Sequence, residues 1–227
     1  VDGSQEMVRR EFNHTKLIIN KQNEGFSKEN NNGYSYSKGS TLIFLNSDTI
    51  IKHNAFKPMT HYLNANKEVG LLGPKIVNSV NEPTHSYQKF FNAKSLVFGS
   101  KYFKPLFNVD KYRPHYSTSD YNRIKEVDWV SGACLAINRE VFERAGKWDD
   151  KYFFYYEDMD LCYQIKKAGL KVVYFPEAEV LHYFGQSTSK SNSLNPVKMS
   201  SMKYYAKKNF TPIQYWFVLF YLVFKKM

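Results

Sequence analysis

Apolar and amphipathic stretches alternate along this chain, and the alternation predicts strands interleaved with helices. Continuous apolar runs, typical of strands buried on both faces of a sheet, occur at residues 41–45, 69–74 and 171–176. Apolar positions at helical spacing predict helices at residues 54–66, 139–145 and 158–168. Because strands and helices succeed one another, we predict an α/β fold with a mostly parallel sheet flanked by helices.

Weaker patterns fill the rest of the chain. They predict an amphipathic helix at 5–12, a strand at 16–19, a strand pair or bent strand at 127–137 and a basic helix at 200–210. From residue 78 to 126 the periodicity is lost, and we expect this segment to cover a site and to recognise substrate. The prediction is one domain over residues 1–210, followed by an apolar tail at 211–227.

The composition is that of a folded, basic protein. With 227 residues, of which 43% are hydrophobic and 17% aromatic, the chain is too apolar to be disordered throughout. Its net charge of +11 is scattered, which favours anionic ligands or an anionic membrane surface. Nucleic acid is disfavoured as a partner because no basic run, helix-turn-helix cue or zinc-finger spacing accompanies the charge. Cys134 and Cys162 lie in apolar or helical patterns, which indicates core thiols in a reducing compartment.

The two ends of the chain also carry signals. The chain starts without methionine in a stretch typical of a loop, so we expect it to begin inside its domain. Near the other end, residues 215–224 are continuously apolar, but they number about half of the ~20 residues that a membrane span needs. Lys225 and Lys226 follow, which favours a helix lying on an anionic membrane, at its cytoplasmic face. A truncated transmembrane helix and a buried helix remain open alternatives.

A cluster of carboxylates is the first candidate for chemistry. Glu157, Asp158 and Asp160 follow the aromatic run at residues 152–156. Apolar rings and neighbouring like charges raise the pKa of a carboxyl group and prepare it to accept a proton from a substrate hydroxyl. We interpret the cluster as holding a catalytic base. The alternative is an acidic helix start, which the helix macrodipole also favours.

Asp48 is the second candidate. It follows the apolar run at residues 41–45 after Asn46 and Ser47, so it lies at the carboxyl edge of the predicted sheet, where α/β folds bind ligands. Carboxylate oxygens there suit Mg²⁺ or Mn²⁺, with the open positions filled by phosphate oxygens. The competing interpretation is a common turn or helix cap.

Four segments, taken in order, resemble the motifs of the family 2 glycosyltransferases, and in particular the rhamnosyltransferase-like branch. The first resembles the segment that lines the nucleotide-sugar site, and its matching residues are Asn23, Gly25, Phe26 and Asn30. The second resembles a variant of the family's Asp-x-Asp metal motif, and its matching residues are Asn46 and Asp48. His182 resembles the family histidine near the metal and the diphosphate.

The third and fourth segments resemble the acceptor side of the family's site. Trp129 and Gly132 lie in a segment similar to the strand beside the donor sugar and the acceptor. The fourth segment resembles the aromatic and acidic motif that holds the base. The resemblance assigns the base to Asp158. We expect Glu157 to be catalytic beside it, Asp160 to lie at the donor or acceptor sugar, and both Glu157 and Asp160 to orient the acceptor and the helix.

The resemblance implies both a fold and an activity. The fold is a GT-A fold with a Rossmann-like sheet, whose first strands would precede residue 2. The activity is inverting transfer of a sugar, rhamnose in this branch, from a nucleotide-diphosphate sugar to a glycan or lipid-linked acceptor in cell-surface polysaccharide synthesis, with a divalent cation as cofactor. Gln164 stands where the family commonly has an arginine. An inactive nucleotide-sugar or carbohydrate-binding fragment and a membrane-associated scaffold remain alternatives.

Overall fold

Helices flank a central sheet in this computed structural model, which describes residues 2–84, 86–92, 95, 121–183 and 194–225. The helices are α1 (Ser4–Glu11), α2 (Phe26–Tyr36), α3 (Phe56–Ala65), α4 (Arg139–Arg144), α5 (Glu157–Lys167), α6 (Leu194–Asn209) and α7 (Pro212–Lys225). The strands are β1 (Thr41–Leu45), β2 (Thr49–Lys52), β3 (Val69–Val77), β4 (Tyr87–Gln88), β5 (Lys125–Val127), β6 (Trp129–Val130), β7 (Cys134–Asn138) and β8 (Lys171–His182).

The central sheet has the strand order β1-β7-β3-β8-β2, and β5 pairs with the first half of β8. Strands β3 and β8 are parallel, whereas β7 lies antiparallel between β1 and β3. The chain reverses in the three residues after β1, so β2 runs antiparallel to β8. The predicted α/β sheet is therefore confirmed, with its parallel pairing confined to the central strands β3 and β8. A separate two-stranded ribbon joins β4 to β6.

The apolar strands feed two hydrophobic layers, one on each face of the sheet. Leu71 and Val172 lie in the layer that includes α5, while the next residues, Leu72 and Val173, lie in the layer that includes α3. Successive strand residues point to opposite faces, so a continuous apolar run is what a strand covered on both faces requires. Burial of a side chain such as Leu71 stabilises the fold by roughly 1.5–3 kcal/mol.

Helix α2 is the longest element that the apolar pattern does not predict, and the short strands β2 and β4 are not predicted either. Its residues are mostly Asn, Ser and Gly, whose intrinsic helix propensity is low. Contacts with distant parts of the chain stabilise it instead. Asn31 Nδ2 donates to the Trp148 carbonyl oxygen at 2.7 Å, and the Tyr34 ring lies edge-on to Phe142 with 5.2 Å between centroids.

The strand predicted at residues 16–19 is wrong, because that stretch joins no strand ladder within the described ranges. Leu17 and Ile18 are half-buried there. An apolar run becomes a strand only where a neighbouring edge satisfies its backbone groups. The other predicted strands and helices are present, but β8 continues to His182, beyond the predicted end at 176, and α6 begins at Leu194, before the predicted start at 200. Cys134 and Cys162 are buried free thiols, as expected.

Helices α6 and α7 form a hairpin against the start of α5. Val218 and Leu222 of α7 and Tyr205 of α6 are buried together with Tyr152 and Met159. The tail is thus a helix with one face buried. None of the described helices has the length and apolar character needed to cross a membrane. Most of the predicted recognition segment, including residues 96–120, lies outside the described residues.

Candidate active site

A cleft of about 860 Å³ opens at the carboxyl end of β1. Its walls come from the entry to α2, the turn after β1, the β4–β6 ribbon, the start of α5, the end of β8 and α6. The predicted site residues in its lining are Asn23, Gly25, Phe26, Asn46, Asp48, Trp129, Gly132, Glu157, Asp158 and His182. One cavity therefore collects residues from all four motifs and the separate histidine.

Asp48 and His182 meet at one wall of this cleft. Strand pairing holds them there, because Thr49 pairs with His182 and the N–H of Tyr183 donates to the Asp48 carbonyl oxygen at 3.0 Å. The distance from Asp48 Oδ1 to His182 Nε2 is 3.0 Å. Only 14% of the Asp48 side chain and 10% of the His182 side chain are exposed. The fold thus joins a carboxylate and an imidazole that are far apart in sequence.

The Asp48–His182 pair fits a divalent cation such as Mg²⁺ or Mn²⁺. A carboxylate oxygen and an imidazole nitrogen are ligand types that such a cation accepts, and a cation bound between them would replace their hydrogen bond of 3.0 Å. Within the described ranges, no group of three or more His, Cys, Asp or Glu side chains could enclose a metal ion by itself. Phosphate oxygens of a substrate and water would therefore have to complete the coordination.

A strained turn presents the acidic cluster to the cleft. Tyr155 and Tyr156 have positive φ angles of 70° and 71°, a conformation that costs a non-glycine residue roughly 1–3 kcal/mol. The turn is fastened to the entry of α2, since the N–H of Phe26 donates to the Phe153 carbonyl oxygen at 2.8 Å. A Cβ at Gly25 would lie 2.5 Å from that oxygen, so only glycine fits this contact. Two of the predicted motifs are thereby held together by their backbones.

Asp158 is held at the cleft wall by backbone hydrogen bonds. Its Oδ2 accepts from the N–H of Gly132 at 3.0 Å, and its Oδ1 accepts from the N–H of Met159 at 2.8 Å. Burial raises the pKa of Asp158 above its ordinary value, and these hydrogen bonds oppose the rise because they favour the charged form. The carboxylate is thus fixed in place and prepared to take up a proton.

Glu157 has a different environment from its neighbour. It is buried, and its Oε2 has no hydrogen-bond partner among the described residues. Burial and the charge of Asp158 raise the pKa of Glu157 well above its ordinary value. Three backbone hydrogen bonds favour the charged form of Asp158 and only one favours that of Glu157, so we assign the ionised carboxylate to Asp158 and the protonated carboxyl group to Glu157.

Asp160 lies on the other side of α5, against α6 and outside the cleft lining. Lys208 Nζ donates to its Oδ2 at 2.6 Å, and Asn209 Nδ2 donates to its Oδ1 at 2.7 Å. The structure therefore corrects the predicted contact of Asp160 with a sugar. The reason is helical geometry, because residues two apart differ by about 200° around the helix axis.

Asn30 is also absent from the cleft lining, because its side-chain amide donates to the Phe26 carbonyl oxygen at 2.9 Å within α2. Conversely, the cleft includes Glu29, Gln88, Lys89 and Lys198, which the sequence motifs do not single out. The Lys198 ammonium lies 5.4 Å from the centre of the Tyr155 ring, within the range of a cation–π interaction. No sequence signal distinguishes Lys198 from the other scattered lysines, since only the packing of α6 brings it to the cleft.

The cleft and its motifs agree with a family-wide pattern. The family model for "Glycosyltransferase like family 2" matches residues 3–196. The chain belongs to this family. The match includes every residue of the cleft lining except Lys198, so the site described above lies almost entirely within the family's shared region.

Curated relatives place the chain in the rhamnosyltransferase-like branch. The dTDP-rhamnosyl transferase RfbF of Shigella flexneri is 25% identical over 200 residues, which cover 85% of this chain and 60% of that protein. Rhamnosyltransferase WbbL of Escherichia coli (strain K12) is 27% identical over 168 residues, 70% of this chain and 61% of that protein. The N-acetylglucosaminyl-diphospho-decaprenol L-rhamnosyltransferase of Mycobacterium tuberculosis is 46% identical over 66 residues, 29% of this chain and 22% of that protein. The chain thus spans less than two thirds of the length of these relatives.

Solved structures confirm the GT-A fold. GalNAc-T7, solved with UDP, GalNAc and Mn²⁺, has a TM-score of 0.57 at 15% identity over 92% of this chain and 42% of its own. Mannosyltransferase PcManGT from Pyrobaculum calidifontis, solved with GDP-Man and Mn²⁺, has a TM-score of 0.56 at 13% identity over 92% of this chain and 51% of its own.

Proposed function

We propose that this chain carries the active site of an inverting glycosyltransferase that uses a nucleotide-diphosphate sugar in cell-surface polysaccharide synthesis. The observation that supports the proposal best is a single cleft lined both by the Asp48–His182 pair and by Asp158. Rhamnose is the proposed sugar because the relatives named above are rhamnosyltransferases. The proposed acceptor is a glycan or lipid-linked hydroxyl, since one relative is named for N-acetylglucosaminyl-diphospho-decaprenol.

The donor's diphosphate is assigned to the wall formed by Asp48 and His182. These residues would hold the divalent cation, which when bound neutralises charge on the departing diphosphate. Lys198 adds a positive charge to the same cleft. Gly25 and Phe26, packed against the turn before α5, would position the nucleotide sugar, as their motif implies.

The acceptor hydroxyl is assigned to Asp158. The proton of the acceptor hydroxyl passes to the Asp158 carboxylate while the hydroxyl oxygen forms a bond to the anomeric carbon of the donor sugar. The bond from that carbon to the diphosphate oxygen breaks, and its electron pair leaves with the nucleoside diphosphate. A single displacement from the opposite side inverts the anomeric configuration. The N–H of Gly132 keeps Asp158 oriented throughout, because it donates to one oxygen of the carboxylate.

Calorimetric titration of dTDP and UDP, first with Mn²⁺ and then with EDTA, tests the donor site. We expect binding that requires the metal and that weakens about tenfold or more in Asp48→Ala, because a proposed metal ligand is lost. Asp158→Asn should bind nucleotide as the wild type does. Asp2→Ala, which removes an exposed aspartate outside the cleft, is the matched control.

Two results would contradict the proposal. If neither EDTA nor Asp48→Ala changes nucleotide binding, the donor does not bind at the wall of the cleft formed by Asp48 and His182. Equal loss of nucleotide binding and of sugar transfer in Asp48→Ala and Asp158→Asn would show that the two residues do not have separate roles.

A further inference from the structure

Helix α7 carries an apolar face that remains exposed after the hairpin has folded. The face consists of Ile213, Trp216, Phe217, Phe220 and Val223, which are between 51% and 73% exposed. Steps of three and four residues place them along one side of the helix. The opposite side is buried against α6. An outward face on a surface helix is normally polar, so a continuous apolar one indicates a partner.

The segment of sequence that carries this face has positive charges only. Residues 194–227 contain no Asp or Glu, since the last acidic residue in the chain is Glu179. The same segment contains six lysines: Lys198, Lys203, Lys207, Lys208, Lys225 and Lys226. Lys203 borders the same groove as Trp216 and Phe217. The partner must therefore combine an apolar interior with a negatively charged surface.

We propose that α7 lies in the interface of a lipid bilayer that contains anionic lipids, with its apolar face among the acyl chains and Lys203, which borders that face, at the headgroups. The inner face of the helix, with Val218 and Leu222, is buried against α6, so only the outer face is open to lipid, as in a helix that lies along the membrane plane. A second copy of the chain is a poorer partner, because a symmetric contact would bring two sets of lysines together. The helix would then lie on the cytoplasmic face of the membrane, as we expect from the sequence of the tail.

The hairpin also connects this face with the cleft. Val218 and Leu222 on the inner side of α7 share a hydrophobic cluster with Met159, which lines the cleft beside Asp158. Lys198 of α6 lines the cleft as well. A bilayer under α7 would therefore hold a lipid-linked acceptor beside the site. This last consequence depends on the proposed transferase function, whereas the lipid binding does not.

Vesicle sedimentation without any substrate tests the inference. We expect the chain to sediment with vesicles of phosphatidylglycerol and phosphatidylcholine, and much less with phosphatidylcholine alone. Val223→Asp should weaken binding about tenfold or more, since it places a charge among acyl chains. Val80→Asp is the matched control, because Val80 is similarly exposed, lies far from α7 in sequence and undergoes the same change of charge. Both positions are exposed, so both variants should keep the wild-type melting temperature.

Tryptophan fluorescence gives a second measurement that does not depend on that variant. Trp216 is 69% exposed, so its emission should shift to shorter wavelength when anionic vesicles are added. The shift should disappear in Trp216→Phe, while buried Trp148 keeps its emission.

Several outcomes would overturn the inference. They are failure to bind anionic vesicles, equal binding by Val223→Asp and Val80→Asp, and self-association without lipid that Val223→Asp abolishes in sedimentation equilibrium. The last result would assign the face to a second copy of the chain. Because no substrate is present, failure of the proposed sugar transfer would leave the vesicle result unchanged, and the two proposals fail separately.

Discussion

Asp158 and Asp160 lie two residues apart in the first turn of α5, yet the two sides of that helix use them differently. On the cleft side, Asp158 accepts backbone hydrogen bonds, and burial raises its pKa. On the α6 side, Asp160 is buried and paired with Lys208. One acidic motif therefore contains a group prepared for proton transfer and a group that anchors a helix. The comparison shows that a carboxylate's role depends on which element covers it.

The anchoring side is a small network of charges. Lys208 Nζ bridges Asp160 and Asp149, at 2.6 Å and 2.7 Å. The pKa of Asp149 lies below its ordinary value. Burial alone would raise it, but hydrogen bonds, including those from Lys208 and Tyr204, outweigh that effect. Gln164 Nε2 lies 3.4 Å from Asp160 Oδ1. Helix α5 thus contributes a neutral amide to this network, and the cation comes from Lys208 of α6.

The largest difference between the two sides should appear in catalysis. Asp158→Asn should lower kcat about a thousandfold, because general-base catalysis contributes roughly 10²–10⁴. Initial rates of sugar transfer measure this effect, and nucleotide titration should show unchanged donor binding. If the variant keeps a tenth of the wild-type kcat, Asp158 is not the base.

Asp160→Asn should lower the stability of the fold and largely keep kcat. The free energy of unfolding should fall by about 2 kcal/mol, less than for a fully buried ion pair because Lys208 is partly exposed. Urea unfolding measures the loss. We expect kcat per folded molecule to change less than about tenfold. A large loss of kcat without loss of stability would show that Asp160 acts in the active site, and the contrast with Asp158 would then be wrong.

Lys208→Met should lower the free energy of unfolding by about 1–2 kcal/mol, because it removes the cation from the same network. Lys207→Met is the matched control, because Lys207 is the next residue in the sequence and is exposed. It should change the free energy of unfolding by no more than about 0.5 kcal/mol. The lowered pKa of Asp149 adds a test of sign. The lowered pKa of Asp149 contributes stability that is fully present above pH 3.8, its ordinary pKa, and is lost as the pH falls through its lower pKa in the folded state. The gap between wild type and Lys208→Met should therefore narrow in acid.

Glu157→Gln should have the smallest effect on activity, with kcat within about threefold of the wild type, because glutamine resembles the protonated carboxyl group. Its effect on stability should depend on pH. A raised pKa means that Glu157 binds its proton more tightly in the folded state, so wild-type stability falls as pH rises through that value. The variant lacks this loss and should gain stability over the wild type at higher pH. Thermal unfolding across pH measures it, and an identical pH dependence in both proteins would contradict the assignment.

The sequence predicted the helices and strands best where side-chain periodicity was strong. Strands β1, β3 and β8 appear as apolar runs, and α5 appears as an amphipathic stretch closed by Gly169. It failed at α2, whose Asn and Ser residues depend on contacts such as Asn31 with Trp148. It also failed at residues 16–19, whose backbone pairs with no strand in the part of the chain that the structure describes. Local patterns report local preferences, whereas these two segments depend on distant neighbours.

The candidate site shows the same division. The motifs around Asp48, Asp158 and His182 were enough to predict the family, while the chemistry assigned to these residues stays a prediction. Tertiary structure decided which of those groups meet. The β2–β8 ladder places Asp48 at His182, the strained turn at Tyr155 and Tyr156 aims Asp158 into the cleft, and α6 draws Asp160 away from it. A sequence specifies chemical groups and their order, but the distance between two groups depends on how the elements that carry them pack.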